Sequence, residues 1–389
     1  MVMKIRNIAD IHVNEEHSPV VFITGVTGQD GSHMIDYLLR ETNASIIGGA
    51  RRLSVENHDN IRHLEGQLRF QLVNFDLTDS HSIYKLMEVS QPDYFINFAA
   101  QSFVASSWDF ARQTWQTNST AVLDCLEAIR RVKPTCRFYN AGSSEEFGNV
   151  LYSPQDENHP PRPRSPYGAS KSAARTLVKV YRESYGLYAV QGWLFNHEGI
   201  RRGEDFVTRK ITKGVARIRK SLFNGECFDS IKLGNVDAKR DWSDAEDMID
   251  AVWKMMNQEE CITGTAEQIR EGSEPWTGMT IPLVDKFVPK DYVVSSDENH
   301  SIRDFVEIAF KYAGIQGKWM GSDLEEIFGN EKYGSLASID PKFYRPAEIE
   351  VLCGNSSAIR KELGWKPKTS FEQLVKKMVE NDLKNYETR

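Results

Sequence analysis

The sequence predicts an α/β protein with a doubly wound parallel sheet, followed by a smaller C-terminal α/β region. Two observations carry this prediction. Short β-rich runs alternate with helical runs through the first half of the 389-residue chain, which favours right-handed βαβ crossovers. The predicted strands are apolar with little alternation, as expected for strands that helices cover on both faces of a sheet.

The individual elements follow from apolar periodicity and from turn residues. The first predicted strand covers residues 19–25, and apolar residues spaced three and four apart mark one face of a helix over 32–42. The other predicted strands cover 44–50, 68–75, 93–100 and 136–143, and the other predicted helices cover 81–90, 119–132 and 167–185.

The pattern loosens after about residue 190, where turn formers and charges separate short helices. We expect residues 19–190 to form the first domain, with some later segments returning to it, and residues 191–389 to form mainly a second, smaller domain. Residues 1–18 are predicted to be a poorly ordered N-terminal extension. Residues 259–290 are rich in Gly and Pro, and a loop of that length predicts an ordered functional insert.

Composition excludes several classes of protein. The 48 Lys and Arg against 55 Asp and Glu give a net charge of −7, which argues against a nucleic-acid binder. No stretch approaches the roughly 20 apolar residues that span a membrane, and the N-terminus lacks the apolar core of a signal peptide. The five cysteines show no CxxC pair and the nine histidines no metal-ligand spacing. We therefore expect a cytoplasmic protein without a metal site.

A glycine-rich segment follows the first predicted strand and opens the first helix. It reads TGVTGQDG and places Gly25, Gly28 and Gly31 at GxxGxxG spacing, with Gln29 and Asp30 between them. Glycines at these points permit a tight turn and let backbone amides approach a pyrophosphate at the positive end of a helix. The alternative is that these glycines only make a turn. The strand–turn–helix context favours a Rossmann-type dinucleotide site.

The end of the second predicted strand indicates which dinucleotide binds. An NAD site would carry an acidic residue here, whereas this chain carries Arg51 and Arg52, which suit the 2′-phosphate of NADP. The alternative is a solvated basic turn. After the third strand, Asp76 and Leu77 are predicted to contact the adenine. The segment after the fourth strand is predicted to pass the phosphates and nicotinamide ribose, and it contains Ala99, Ala100, Gln101 and Ser102.

A Tyr–Lys pair lies at the start of a predicted helix. Tyr167 and Lys171 are four residues apart and so share one helical face. A free tyrosine titrates near pH 10, and we expect the neighbouring ammonium group to bring its pKa towards the working range of a base. Ser143, at the end of the fifth predicted strand, could share the proton path.

Seven motifs in order resemble those of the GDP-mannose 4,6-dehydratase family. They are TGVTGQDG, GSSEEFG, SPYGASK, LFNHEGIRRGEDFVTRKI, LGNVDAKRDW, FYRPAEIE and LGWKP, and the resemblance covers about residues 19–385. It implies a Rossmann-type NADP domain and a smaller nucleotide-sugar domain. It also implies a catalytic set of Ser143, Glu145, Tyr167 and Lys171.

Glu145 separates this reaction from that of an epimerase. A dehydratase must remove the C5 proton and expel the C6 hydroxyl, so it needs an acid/base beyond the tyrosine. The resemblance gives this role to Glu145. It implies C4 oxidation, loss of water across C5 and C6, and return of hydride to C6. Glu146 is predicted to be a solvated residue of an acidic turn.

The resemblance also implies contacts farther along the chain. His197 and Arg202 would contact the cofactor, and Ser102, Ser143 and Glu145 the sugar. For Arg201, a surface charge is almost as good an interpretation as a binding role. Trp242 is predicted to pack within the protein and not to contact a ligand. The other substrate-binding residues would be Asn196, Val207, Lys210, Arg240, Arg345 and Glu348.

The chain departs from the family pattern at several positions. Phe103 replaces the usual His, Phe147 the usual Tyr, Gly168 lies in YGASK where YAVAK is usual, and Gly199 replaces the Ser of HES. The loop after the arginines also differs, so a homodimer and a homotetramer both remain open. GDP-mannose is the first substrate expected, with a GDP-heptose or another nucleotide hexose as alternatives. An epimerase or reductase of the same fold is the competing enzyme class, and a non-catalytic NADP-binding regulator the competing protein class.

Overall fold

The computed structural model describes residues 5–12, 18–54, 57–261, 287–344 and 352–387. Its centre is a six-stranded parallel sheet with strand order 3-2-1-4-5-6. The strands are β1 Val20–Thr24, β2 Ser45–Ala50, β3 Phe70–Asn74, β4 Tyr94–Asn97, β5 Arg137–Asn140 and β6 Ala189–Val190. The strand order reverses between β1 and β4, which creates the crevice where open α/β sheets bind ligands. The predicted doubly wound parallel sheet is confirmed.

Helices connect and cover the strands. The helices are α1 Gln29–Glu41, α2 Ser80–Ser90, α3 Ala111–Trp115, α4 Ala121–Val132, α5 Pro166–Tyr185, α6 Val207–Asn224, α7 Ala245–Met256, α8 Gln258–Cys261, α9 Ile302–Tyr312, α10 Ser357–Leu363 and α11 Phe371–Glu387. The longest, α5, begins where the Ser165 hydroxyl accepts the N–H of Gly168, and it ends at Gly186 in the left-handed conformation. Among the described residues, no helix is long and apolar enough to cross a membrane.

Short strands complete the structure beyond residue 190. They are β7 Trp193–Leu194, β8 Asn196–Glu198, β9 Ile231–Leu233, β10 Lys239–Arg240, β11 Trp242–Asp244, β12 Val293–Val294, β13 His300–Ser301, β14 Lys318–Met320, β15 Ile327–Asn330 and β16 Gly334–Ile339. Three two-stranded pairs are β7 with β12, β8 with β11, and β10 with β13. A four-stranded sheet has the order β14-β15-β16-β9.

The apolar cores show how the chain is divided. Two cores flank the six-stranded sheet, and the one that includes Val21 and Ile35 also takes in residues of α7 and α10. A third core lies between α6, α9, α11 and the four-stranded sheet. The later chain therefore contributes both to the large sheet and to a separate α/β layer. Of the predicted insert, residues 262–286 lie outside the described residues.

Part of the N-terminal extension is ordered, contrary to expectation. Residues 5–12 lie beside β3, and Ile8 and Ile11 are buried in the core that contains Val20 and Val73. The two buried isoleucines anchor the segment by apolar contact, which its mostly polar and charged composition did not indicate.

Candidate active site

A cleft of about 1480 Å³ opens at the carboxyl ends of β1 to β4. It collects most of the residues predicted to bind the cofactor, although they come from segments far apart in the chain. The predicted residues that line it are Gly25, Gly28, Gln29, Asp30, Gly31, Arg51, Arg52, Asp76, Leu77, Ala99, Ala100, Gln101, Ser102 and Arg202.

The glycine loop packs tightly against its own backbone. Gly25 has a φ of +70°, and a Cβ on it would lie 2.8 Å from the backbone nitrogen of Ala99. A Cβ on Gly31 would lie 2.4 Å from the carbonyl oxygen of Gly25. Glycine is required at both places, and Gly28 leads directly into α1. This cradle of backbone atoms at a helix N-terminus fits the pyrophosphate of a dinucleotide.

An ion pair joins the glycine loop to β8. His197 Nε2 lies 3.0 Å from Asp30 Oδ2, and the Gln29 amide donates to the carbonyl oxygen of His197 at 3.1 Å. Burial favours the neutral forms of both partners. Their mutual attraction outweighs burial, holding the pKa of Asp30 well below its usual range and raising that of His197. Arg202 adds to the lowering at Asp30. The pair is therefore an element that orients the start of α1.

The second and third strands end at the part of the cleft that we predict to bind the adenosine. Arg51 and Arg52 are exposed, and the N–H of Arg52 donates to Asn74 Oδ1 at 3.1 Å. The Asp76 carboxylate accepts from the backbone and the hydroxyl of Thr78, at 2.9 and 2.8 Å. The Asp76 side chain thus stabilises its own turn, while the residue still lines the cleft.

A short turn after β5 carries the predicted acid/base residues. Ser143 caps the 3-10 helix Ser144–Glu146, with its hydroxyl accepting the N–H of Glu145 at 3.2 Å. Burial raises the pKa of Tyr167, and a hydrogen bond with the same Ser143 hydroxyl partly offsets that rise. Ser143, Glu145 and Tyr167 are therefore brought to one place from two separate segments.

The Tyr–Lys pair lies on the buried side of α5. The Nζ atom of Lys171 is 5.8 Å from the centroid of the Tyr167 ring and donates to the carbonyl oxygen of Ala141 at 2.7 Å. Burial lowers the pKa of Lys171 to about 8, against the opposing charges of Glu146 and Asp30. Burial also raises the pKa of Tyr167, and the strongest effect that lowers it comes from Ser143 rather than from Lys171. The pKa of Tyr167 is therefore raised, not lowered as we expected from the lysine.

Gly168 explains how closely α5 approaches the catalytic turn. A Cβ at this position would lie 2.6 Å from the carbonyl oxygen of Glu145. The glycine in YGASK therefore allows the backbone of the turn to pack directly on the first turn of the helix. This contact brings Glu145 close to Tyr167 in the fold.

Glu146 is not the solvated acidic residue that we expected. Its side chain is fully buried, and its carboxylate accepts from the N–H of Ser143 at 2.9 Å, from the amide of Gln191 at 3.1 Å and from Arg175 Nε at 2.5 Å. The sequence contained the signal, because Ser-x-x-Glu is the spacing of a capping box. Glu146 holds the backbone of the catalytic turn.

The charge of Glu146 belongs to a larger buried group. Arg175 also contacts Asp291 at 3.3 Å, and Arg182 contacts Asp291 at 2.8 Å. The guanidinium of Arg175 lies 3.4 Å from the centroid of the Trp193 ring. Sequence reasoning did not find these residues, since nothing local indicates which charges meet across more than 100 positions. We call Glu146, Arg175, Arg182, Gln191 and Asp291 the buried hub.

A π-helical segment, Gln116–Thr120, borders the cleft and was also missed. Within it, the Asn118 side chain accepts from the N–H of Gln101 at 2.9 Å and donates to the carbonyl oxygen of Gln101 at 3.0 Å. It also donates to the Ser170 hydroxyl at 3.3 Å. Asn118 thus ties the end of the fourth strand to α5, in a helix type often found at functional sites.

The residues predicted to bind the sugar nucleotide are less concentrated. Asn196 is in β8 and Val207 begins α6, while the Nζ of Lys210 lies 3.4 Å from the centroid of the Phe343 ring. Arg240 is buried in β10 and donates to the carbonyl oxygen of Lys239 at 2.7 Å. These four residues are not among those that line the described cleft. Arg345 and Glu348 lie outside the described residues.

Two residues named with less certainty have structural partners. Arg201 Nη2 lies 2.6 Å from Asp36 Oδ2 and its side chain is only 17% exposed, so it is a half-buried paired charge and not a solvated surface charge. Trp242 is buried and stacks on Phe371 with 5.7 Å between ring centroids, so it packs as expected. Within the described ranges, no group of His, Cys, Asp and Glu has the arrangement of a metal site.

The fold and site together define a class: a dinucleotide-binding α/β protein with the Ser–Tyr–Lys arrangement of short-chain dehydrogenases and a carboxylate beside it. The model of the family described as GDP-mannose 4,6 dehydratase matches residues 22–280 and 276–378. This chain belongs to that family.

Named relatives agree with this assignment. A GDP-mannose 4,6 dehydratase of Drosophila melanogaster is 37% identical, over 95% of this chain and 87% of its own length. The human GDP-mannose 4,6 dehydratase is 38% identical, over 94% of this chain and 91% of its own. The Vibrio cholerae GDP-mannose 4,6-dehydratase is 37% identical, over 94% and 93%.

Solved structures with similar folds are more distant in sequence. The dTDP-glucose 4,6-dehydratase of Bacillus anthracis, in complex with NAD, has a TM-score of 0.72 at 17% identity, with 95% of this chain and 98% of that chain covered. RMD from Pseudomonas aeruginosa, complexed with NADPH, has a TM-score of 0.69 at 20% identity, with 95% and 100% covered. At these identities the likeness supports the fold alone.

Proposed function

We propose that this chain is an NADP-dependent nucleotide-sugar 4,6-dehydratase, a hydro-lyase that converts GDP-mannose to GDP-4-keto-6-deoxymannose. The observation that carries the proposal is the packing of the Ser143–Glu146 turn on the first turn of α5. It puts a carboxylate, a hydroxyl and the Tyr–Lys pair together in a member of this family.

The cofactor assignment rests on the cleft. The cradle formed by Gly25, Gly28 and Gly31 would hold the pyrophosphate, and Arg51 and Arg52 would bind the 2′-phosphate through charge-assisted hydrogen bonds. NADP, when bound, supplies the hydride acceptor for the sugar C4 and the hydride donor for C6. The other chemical steps belong to side chains of the protein.

Each catalytic side chain has a separate task in this proposal. Tyr167, as phenolate, takes the proton from O4 of the sugar, and the Ser143 hydroxyl stabilises the phenolate through their hydrogen bond. The Lys171 ammonium supplies positive charge beside the phenolate. Glu145 takes the proton from C5, which the 4-keto group acidifies, and passes it to the departing C6 hydroxyl, so that water leaves. When hydride returns to C6, C5 regains a proton, and the proton that Tyr167 took from O4 balances this step and restores the phenolate.

The sugar itself is the finer part of the proposal. The family and its named relatives favour GDP-mannose, while a GDP-heptose or another nucleotide hexose is the alternative. An epimerase or reductase of the same fold would need no carboxylate at position 145. A cytoplasmic location and a homodimer or homotetramer remain predictions.

The test separates oxidation from elimination. Glu145→Gln should reduce overall turnover by roughly 10²–10⁴-fold, the range of a lost acid/base. C4 oxidation should survive, so a single turnover should show transient NADPH absorbance, no dehydrated product and no solvent deuterium at C5. Tyr167→Phe should abolish both steps, because it removes the base for the oxidation.

The matched control is Glu183→Gln, an exposed glutamate on α5. Its turnover rate should equal that of the parent protein with each nucleotide sugar tested, whether GDP-, UDP-, CDP- or dTDP-linked. The dehydratase proposal would be abandoned if Glu145→Gln formed 4-keto-6-deoxy product at nearly the parent rate. The epimerase or reductase alternative would then be favoured.

A further inference from the structure

The described part of the N-terminal segment, residues 5–12, extends the large sheet beyond its edge strand β3. The N–H of Arg6 donates to the carbonyl oxygen of Leu72 at 2.9 Å, and the N–H of Asn74 donates to the carbonyl oxygen of Arg6 at 2.8 Å. Arg6 thereby forms a parallel bridge with Val73. The family match begins only at residue 22, so residues 5–12 lie outside it.

Apolar burial and side-chain bonds anchor the segment. Ile8 and Ile11 are buried in the core that also contains α2 residues. The Gln71 side chain accepts from the N–H of His12 at 3.1 Å and donates to its carbonyl oxygen at 2.6 Å. Two buried isoleucines and four backbone-directed hydrogen bonds give this segment a defined position along β3.

The segment also borders the cofactor cleft. Ile5 and Asn7 both line the cleft, as do Asn74, Asp76 and Leu77. Side chains of an extended segment alternate between its two faces, so the neighbours of Arg6 in sequence share one side. The Arg6 guanidinium instead reaches Gln71, with Nη1 3.4 Å from Oε1.

Asn74 connects the segment to the second strand. Its backbone N–H is held by Arg6, and its side-chain oxygen accepts the N–H of Arg52 at 3.1 Å. The pairing of the N-terminal segment therefore fixes the residue that positions the backbone of Arg52. Arg51 and Arg52 line the cleft at this end.

We propose that residues 5–12 are part of the cofactor site, where they bind the adenosine 2′-phosphate end of NADP. Ile5 and Asn7 form a wall of that end, and the bridge at Arg6 positions Arg52 through Asn74. The proposal rests on the proposed function only for the identity of the cofactor. It adds a binding element that precedes the matched family region.

The experiment measures NADP binding to protein stripped of cofactor, without any sugar nucleotide, by calorimetric titration. The double variant Ile5→Ala with Asn7→Ala should bind NADP roughly fivefold to tenfold more weakly, because an apolar contact and a polar contact are lost. Leu68→Ala is the control, because Leu68 is 95% exposed before the amino end of β3 and does not line the cleft. It should bind within about twofold of the parent.

A deletion of residues 1–12 tests the link to Arg52. It should weaken NADP more than NAD, because only NADP carries the phosphate. Equal weakening of both would overturn that link. If the double variant binds NADP within twofold of the parent and has the same melting temperature, Ile5 and Asn7 do not form a wall of the cofactor site. Because no sugar is present, these outcomes do not depend on whether the chain dehydrates its substrate.

Discussion

The cofactor cleft and the catalytic turn are built in opposite ways. The cleft is lined mainly by short segments at the ends of neighbouring strands, and Arg51 and Arg52 at its rim are exposed. The catalytic turn is a single 3-10 helix whose position depends on the buried hub, drawn from residues 146 to 291. The cleft is formed mainly by backbone at the ends of strands, and the position of the catalytic turn depends on buried charges that are distant in the sequence.

This difference separates two kinds of sensitivity. Exposed arginines at the rim of a cleft can be changed with little effect on folding, because they lose no buried contact. A buried carboxylate with several hydrogen bonds cannot be changed without affecting both stability and the groups around it. We therefore expect cofactor preference to vary independently of stability, and catalysis to vary together with it.

The largest effect is expected where the cleft depends on backbone contact. Gly31→Val should weaken NADP binding by about 100-fold or more, since even a Cβ would lie 2.4 Å from a carbonyl oxygen of the loop. Binding is measured by titration, and folding by circular dichroism. Gly203→Ala is the control, because a Cβ there would meet only a Phe206 ring at 3.5 Å. Normal NADP binding by Gly31→Val would break the description of the cleft as a backbone cradle.

Glu146→Gln tests the catalytic side of the comparison. It should reduce the free energy of unfolding by roughly 1–3 kcal/mol, because a buried charged hydrogen-bond acceptor is replaced. The other charged groups that act on Tyr167 are Glu145 and Arg202. The other charged group that acts on Lys171 is Asp30. The negative charge of Glu146 raises the pKa of both Tyr167 and Lys171, so its removal should lower both.

The measurement is the pH dependence of C4 oxidation in single turnovers. Lys171 loses its ammonium form above a pKa of about 8, so the rate should fall on that side. In Glu146→Gln the whole profile should move to lower pH, by roughly half a unit. Glu127→Gln is the control, as Glu127 pairs with Arg130 away from this turn. If stability falls but the pH dependence of C4 oxidation does not shift, Glu146 has only a structural role.

A smaller and more selective effect is expected at Arg51. Arg51→Ala should weaken NADP roughly tenfold and NAD by less than twofold, because the guanidinium serves the 2′-phosphate alone. The melting temperature without cofactor should not change, since the side chain is exposed. Titration with both dinucleotides makes the comparison, and equal losses would show that this arginine does not bind the 2′-phosphate.

The smallest effect is expected at Gly199, which lies beside Gln29 and His33 of α1. A Cβ there would lie 3.5 Å from Gln29 Oε1 and 3.8 Å from His33 Nε2, two buried atoms without a hydrogen-bond partner among the described residues. Gly199→Ser should therefore raise the free energy of unfolding by roughly 0.5–1 kcal/mol. Gly199→Ala separates the hydroxyl from the added methyl. Equal stability of the two variants would show that the added hydroxyl forms a hydrogen bond with neither Gln29 Oε1 nor His33 Nε2.

The sequence by itself determined the elements whose signals are local. Alternating strands and helices, the spacing of Gly25, Gly28 and Gly31 after an apolar strand, and the four-residue spacing of Tyr167 and Lys171 each depend on neighbours along the chain. Such patterns survive in the primary structure because a turn or a helix face is set by residues within a few positions.

Only the tertiary structure decided the partners that are distant in sequence. It showed that Glu146 is buried against Arg175 rather than solvated, and that Ile8 and Ile11 anchor a segment whose charged neighbours suggested disorder. The physical reason is that burial and ion pairing depend on which surfaces meet after folding. The Ser-x-x-Glu spacing indicates that Glu146 caps the turn, but nothing local indicates that its carboxylate is also buried against Arg175.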